Sequence, residues 1–142
     1  MPSADIRALP VRARILILLV VAGGTVAVAA RIPDVTSWSW LDLVACVILA
    51  AGIVVTELMP VRLRYRTETL NFSLTEALWV GLLILARPGV LTISLACGLL
   101  VAQLVGRRPA FKVGFNVGQF LIAVGLAQVV YARFHPDRKS VV

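Results

Sequence analysis

A chain of 142 residues with 60% hydrophobic side chains and a mean hydropathy of +0.95 is too apolar for a soluble domain, where apolar usage is about half. Its net charge of +7 does not point to nucleic acid, because the cations sit at the ends of apolar runs and not on one continuous face. Lipid is therefore its main solvent, and the class implied is an all-α integral membrane bundle of about five transmembrane helices.

The N-terminal segment 1–14 carries Arg7, Arg12 and Arg14, and the first apolar run follows over 15–30. A basic stretch, an apolar run and an Ala-Val-Ala-Ala tail also fit a secretory signal peptide. As a span, about 16 residues with snorkelling arginines cross a thin or tilted bilayer. The second run, 40–58, begins at Trp38 and Trp40, aromatic residues suited to the exterior interface, and stops at Met59-Pro60. In the stretch that follows, Arg62, Arg64 and Arg66 alternate with Leu63, Tyr65 and Thr67, a period of two that predicts an extended or interfacial segment. Such a segment has unpaired edges and belongs on the headgroups or against the bundle, not in hydrocarbon.

The third run, 74–86, turns through Arg87-Pro88-Gly89 into the fourth, 90–105, so these two are expected to form an antiparallel hairpin. After Arg107-Arg108-Pro109 comes the fifth run, 113–132, and a polar tail occupies 133–142. Basic residues fall on alternate connections: Arg7, Arg12 and Arg14, then Arg62, Arg64 and Arg66, then Arg107, Arg108 and Lys112. These predict a cytoplasmic N-terminus, a cytoplasmic 59–73 loop and a cytoplasmic 106–112 loop. The exterior turns hold only Arg31 with Asp34, and Arg87. Arg133, Arg138 and Lys139 run against this pattern, since five crossings put them outside; the length of run five and the weaker hold of late charges favour five crossings. The alternative is that the chain is the front part of a longer membrane domain.

Ionisable groups inside spans are functional hypotheses by default. Asp42 lies at the exterior start of its span, where the helix dipole favours an acid. Glu57 and Glu76 lie near the cytoplasmic side and are expected to form interfacial ion pairs with Arg62, Arg64 or Arg66; a proton or cation relay is the other reading. In run five, Asn116 and Gln119 stand three apart and share a helical face. With Gln103 on run four they are candidate intramembrane polar contacts, either cross-links between helices or the walls of a ligand pocket. Asn116 and Gln119 are both expected to face the interior, opposite Gln103 and Gly98. Gly114, Gly118 and Gly125 form a second, small-residue stripe.

Cys46 and Cys97 lie within apolar runs without neighbouring ligands, and His135 lies outside them next to a proline. The chain has no nucleophile elbow, no phosphate-binding glycine loop and no paired metal ligands, so neither an enzyme nor a cofactor or metal site is expected.

Glu57-Leu58-Met59-Pro60-Val61-Arg62-Leu63, the Arg-Pro-Gly turn at 87–89, Arg107-Arg108-Pro109 and Phe111-Lys112-x-x-Phe115-Asn116-x-x-Gln119 stand in a stretch, 57–131, covering about half the chain. This stretch resembles part of the N-terminal membrane region of bacterial signalling proteins that carry cytoplasmic HD-GYP or GGDEF domains for cyclic di-GMP turnover. The resemblance implies a sensory or anchoring module of the bacterial plasma membrane, with the chemistry done by an output domain. This sequence departs from the pattern in ending soon after run five, without further helices or an output domain. The expected partners are the lipid bilayer and another membrane protein or a second copy. A small-molecule-binding subunit of a transporter and an accessory subunit of a larger membrane complex are the alternative functions.

Overall fold

The computed structural model describes residues 9–59, 61–65, 68–72, 82–83 and 86–134, with backbone alone for 61–65 and 68–72. In chain order these form α1 (Val11–Ala29), a single turn α2 (Ile32–Val35), α3 (Trp40–Leu58), a hairpin of β1 (Val61–Tyr65) and β2 (Glu68–Phe72), α4 (Pro88–Val105) and α5 (Ala110–Phe134). Four helical stretches among the described residues are long and apolar enough to cross a bilayer, α1 and α2 counting together as Val11–Val35. The architecture is that of an all-α membrane bundle with one small hairpin at its end.

Local chemistry sets the helix ends. Ser39 starts α3: its hydroxyl accepts from the Asp42 N–H at 3.3 Å, and the Asp42 carboxylate accepts from the Ser39 N–H at 2.9 Å. This reciprocal cap satisfies two donors that the first turn leaves orphaned. Pro88 starts α4 at its first position, where a missing N–H costs nothing, so the fourth span opens inside the Arg-Pro-Gly turn and not after it. At the other end α4 stops at Gly106, and Arg107 adopts φ 50, the left-handed conformation usually taken by glycine.

The helix directions follow from cross-helix contacts. Arg87, just before α4, reaches Asp42 in the first turn of α3, and Gly98 of α4 lies against Ala50 and Ile53 of α3. The two helices therefore run parallel, and Leu58 and Pro88 lie at opposite ends of the bundle. The crossing expected of run three falls in the chain between 59 and 87. Of that run Leu82 and Leu83 are helical, the Ala86 N–H donates to the Leu82 carbonyl at 2.8 Å, and all three pack on the core; most of 74–86 lies outside the described residues. The helix α5 runs antiparallel to α4, with Asn116 beside Gln103 and Gln128 beside Thr92. It runs parallel to α1, with Gly118 on Gly24 and Gly125 near Ala27.

The central helix is α4. In its apolar stretch 61% of residues are buried, against 6% for α3. Leu91, Leu95 and Leu99 of α4 meet Ile53 of α3 and the α5 stripe of Val113, Val117, Leu121 and Val124. Leu19 and Val26 on α1, and Val47 and Ile48 on α3, are exposed, the arrangement expected where lipid is the solvent. Lipid tails are as apolar as leucine, so helix association here rests on close packing. Glycine supplies that closeness. A Cβ on Gly24 would sit 2.6 Å from the Gly118 Cα, and one on Gly98 would sit 2.8 Å from the Ala50 carbonyl oxygen. The small-residue stripe of α5 is thus an internal seam with α1 and not a free face for a partner.

The alternating stretch is realised over Val61–Tyr65 as one arm of an antiparallel hairpin, in register Val61 with Phe72, Leu63 with Leu70 and Tyr65 with Glu68. It leaves α3 at the end where Gly106 also lies. A two-stranded ribbon has two open edges, which excludes it from the hydrocarbon.

Candidate functional site

The polar side chains gather into two junctions, one at each end of the α4–α5 pair: an outer one, at the end that the sequence is expected to turn to the exterior, and an inner one at the Gly106 end. The outer junction is built on Gln128, which is 6% exposed at the end of the buried stripe of α5. Its amide nitrogen donates to the Pro88 carbonyl at 3.1 Å and to the Thr92 hydroxyl at 3.0 Å, and its oxygen accepts from Arg31 Nη2 at 2.9 Å. Thr92, itself buried, donates its hydroxyl to the Pro88 carbonyl at 2.9 Å. One side chain thereby joins the end of α1, the start of α4 and the last turns of α5, with every polar atom of the amide satisfied on at least one side.

Around this buried joint lies a wetter rim. Arg31 faces Asp34 at 3.7 Å, and Arg87 donates to the Asp42 carboxylate at 3.1 Å. Asp42 is thus a helix-capping acid with an arginine partner at the outer end of α3, in keeping with its position at the start of the span. Gly89 lets α2 lie directly on α4, since a Cβ there would meet the Asp34 Cβ at 2.9 Å. The rim closes the outer end with exposed pairs of modest worth, each about 0–1 kcal/mol.

The inner junction is thinner. The Asn116 amide donates to Gln103 Oε1 at 3.5 Å, so these two predicted contacts are brought together across the α4–α5 turn. Gln103 is buried and Asn116 half-buried, whereas Gln119 is exposed, contrary to the expectation that both amides of run five face inward. The reason is angular. At about 100° per residue, Gln119 lies roughly 160° from the centre of the stripe formed by Val113, Val117, Leu121, Val124 and Gln128, while Asn116 sits on its flank. Three-residue spacing shares a face only loosely, and the inward edge of that face falls at Asn116.

Glu57 occupies the last turn of α3 and is half-buried. Its predicted pairing, and that of Glu76, with Arg62, Arg64 or Arg66 lies outside the described residues. Within the register of the hairpin, Arg62 stands opposite Asn71 and Arg64 opposite Thr69.

A half-open crevice of about 340 Å³ runs between α1, α4 and α5, walled by residues such as Val21, Gly24, Val28, Leu100, Val117 and Leu121. Neither Asn116 nor Gln119 lines it. Thr25 contributes a hydroxyl, but that hydroxyl already donates to the Val21 carbonyl at 2.8 Å. The crevice therefore has nothing to orient a polar ligand. Among the described residues no group of three or more His, Cys, Asp or Glu is placed to hold a metal ion.

Gln128 was the residue that sequence reasoning passed over. It falls at heptad spacing, 121, 124, 128, at the end of the buried stripe, and that spacing was the available signal. Fold and site together define a multi-pass helical membrane protein with a polar latch at one end and a basic opposite end. No family model, no curated protein and no solved structure matches the chain.

Proposed function

We propose that the chain is a non-enzymatic sensory or anchoring module of the bacterial plasma membrane, with its N-terminus, hairpin and 106–112 segment in the cytoplasm. The observation that carries this reading is the contrast between the two ends. At one end Arg31, Gln128, Thr92, Asp34, Asp42 and Arg87 tie the helices to one another. At the other, the hairpin leaves the bundle at the end that also carries the basic segment Arg107-Arg108-x-x-x-Lys112, giving a face suited to a cytoplasmic domain or protein. The positive-inside rule supports this orientation, because the basic segments at the start of α1, within the hairpin and after α4 all belong to one end.

The test is site-specific photo-crosslinking in the native bacterium. A crosslinking residue at Thr69 in the hairpin is expected to yield a discrete adduct with a cytoplasmic signalling domain, while one at Ser37 at the outer end yields none. An adduct between the hairpin and a transport ATPase or permease would replace this reading with that of a transporter subunit. Loss of any hairpin adduct, together with solute flux in reconstituted vesicles, would refute it outright.

A further inference from the structure

We infer that the crevice between α1, α4 and α5 is a seat for one acyl chain of an anionic phospholipid of the cytoplasmic leaflet, with its phosphate held by Arg14 and Arg107. The inference goes beyond the choice of cytoplasmic partner.

The apolar half of the argument is the crevice itself. It is about 340 Å³ in volume, and its only side-chain hydroxyl is spent on its own helix. Water gains nothing there, because it needs two to four polar partners to stay. In a bilayer the molecule at hand is a lipid tail, and Leu100, at 42% exposure, forms an open lip through which it can enter.

The polar half is the charge at one end. Arg14 stands one heptad before Val21, so it lies within roughly 20° of the line that Val21 and Val28 follow along the crevice. Its Nε donates to the Leu9 carbonyl at 3.0 Å, which ties the guanidinium to the start of α1, and among the described residues no contact occupies its Nη groups, which are donors for an anion. Arg107 stands one heptad beyond Leu100, just past the end of α4. It is held at φ 50, where glycine would be conformationally cheaper and where Gly106 stands one residue away. A cation kept at a glycine position points to use of the charge.

Among the described residues the two ends of the bundle differ in the ion pairs of their arginines. Arg31 and Arg87 at the outer end have Asp34 and Asp42 as partners. Among the described residues no carboxylate lies within ion-pair distance of Arg14 or Arg107. The crevice begins about 10 Å along α1 from Arg14 and runs about 16 Å further, to Ile32, so a tail whose phosphate rests on Arg14 enters from the basic end and ends within the bundle. A phosphodiester matches the charge of these two arginines, and its acyl chain matches the apolar volume of the crevice.

The experiment is native mass spectrometry of the whole protein in mild detergent, after incubation with phosphatidylglycerol or phosphatidylcholine of identical acyl chains. One phosphatidylglycerol is expected to be retained about tenfold more strongly than phosphatidylcholine. Leu100→Trp, which fills the crevice from its exposed lip, is expected to abolish retention of both lipids. Arg14→Gln and Arg107→Gly are expected to lower phosphatidylglycerol to the level of phosphatidylcholine. Arg107→Gly is the safeguard against misfolding, because it relieves the backbone and should melt at or above the wild-type temperature while losing the headgroup preference. Equal retention of the two lipids by the wild type, or unchanged retention in both Leu100→Trp and Arg107→Gly, would overturn the inference. So would a dimer in the same detergent that Leu100→Trp converts to monomer, since a second copy would then be the occupant.

Discussion

Replacing Gln128 by leucine tests whether the outer latch holds the bundle. The side chain makes one bond from a charged donor, Arg31, and gives two to neutral oxygens on Pro88 and Thr92. A neutral interhelical bond in a membrane averages about 0.6 kcal/mol, and one to a charged group is worth about 1.5 kcal/mol before allowance for exposure. Arg31 keeps Asp34 and water, its side chain being 30% exposed, so its loss is discounted. The net cost is then about 2 kcal/mol, or on the order of 5 °C in melting temperature for a chain of this size. The assay is loss of monodisperse protein on heating in detergent, read by size-exclusion chromatography. A second arm is Thr92→Val, which keeps shape and removes the hydroxyl that accepts from Gln128 and donates to Pro88. The two substitutions share a partner, so the double variant should lose less than the sum of the singles by at least about 0.5 kcal/mol. If Gln128→Leu melts within about 1 °C of the wild type, or if the two effects simply add, the latch does not bear on stability and the reasoning fails.

Gly118→Leu is expected to separate α1 from α5 and to abolish the folded, monodisperse state, because a Cβ there already meets the Val20 carbonyl at 2.6 Å; Gly52→Ala, with nothing within 4 Å, should be neutral or raise stability by about 0.5–1 kcal/mol, as detergent melting will show. Asn116→Leu should cost about 1 kcal/mol by depriving buried Gln103 of its partner, whereas Gln119→Leu should melt at or above the wild type; the reverse order would overturn the assigned faces. Ser39→Ala should cost about 1 kcal/mol through the loss of the reciprocal cap, more than Arg87→Ala, whose pair with Asp42 is exposed and should fade with added salt. In a background without Cys46 and Cys97, a cysteine at Ser37 should react with an impermeant reagent from outside intact cells and one at Arg108 should not; equal labelling would invalidate the orientation.

Spans were legible because apolar length is a coarse quantity. The run 40–58 coincides with α3, and the Ser39 and Asp42 side chains that close its first turn are local in sequence. The pairing of helices was not legible in the same way. The hairpin expectation placed runs three and four side by side, but α4 also lies parallel on α3, and only the three-dimensional position of Gly98 against Ala50 and Ile53 reveals it. Asn116 and Gln103 were found because amides in an apolar run are conspicuous. Gln119 was misplaced because spacing fixes relative angle and not which edge of the face turns inward. Gln128 escaped notice at the far end of the run, because two of its partners are a threonine hydroxyl and a proline carbonyl that carry little sequence signal, and the third, Arg31, stands 97 residues away.

The seam between Gly24 and Gly118 also constrains the order of biosynthesis. Helix α1 leaves the insertion machinery first, yet its close-packed partner follows α3, the hairpin and α4. Until α5 arrives, the flat glycine surface of α1 has only lipid against it, and lipid cannot reproduce a backbone-to-backbone contact. The bundle thus closes late, by capture of a waiting helix and not by stepwise accretion. A ribosome stalled before residue 118 would leave α1 laterally mobile and open to promiscuous small-residue contacts with neighbouring proteins, and completion of α5 would withdraw it from them.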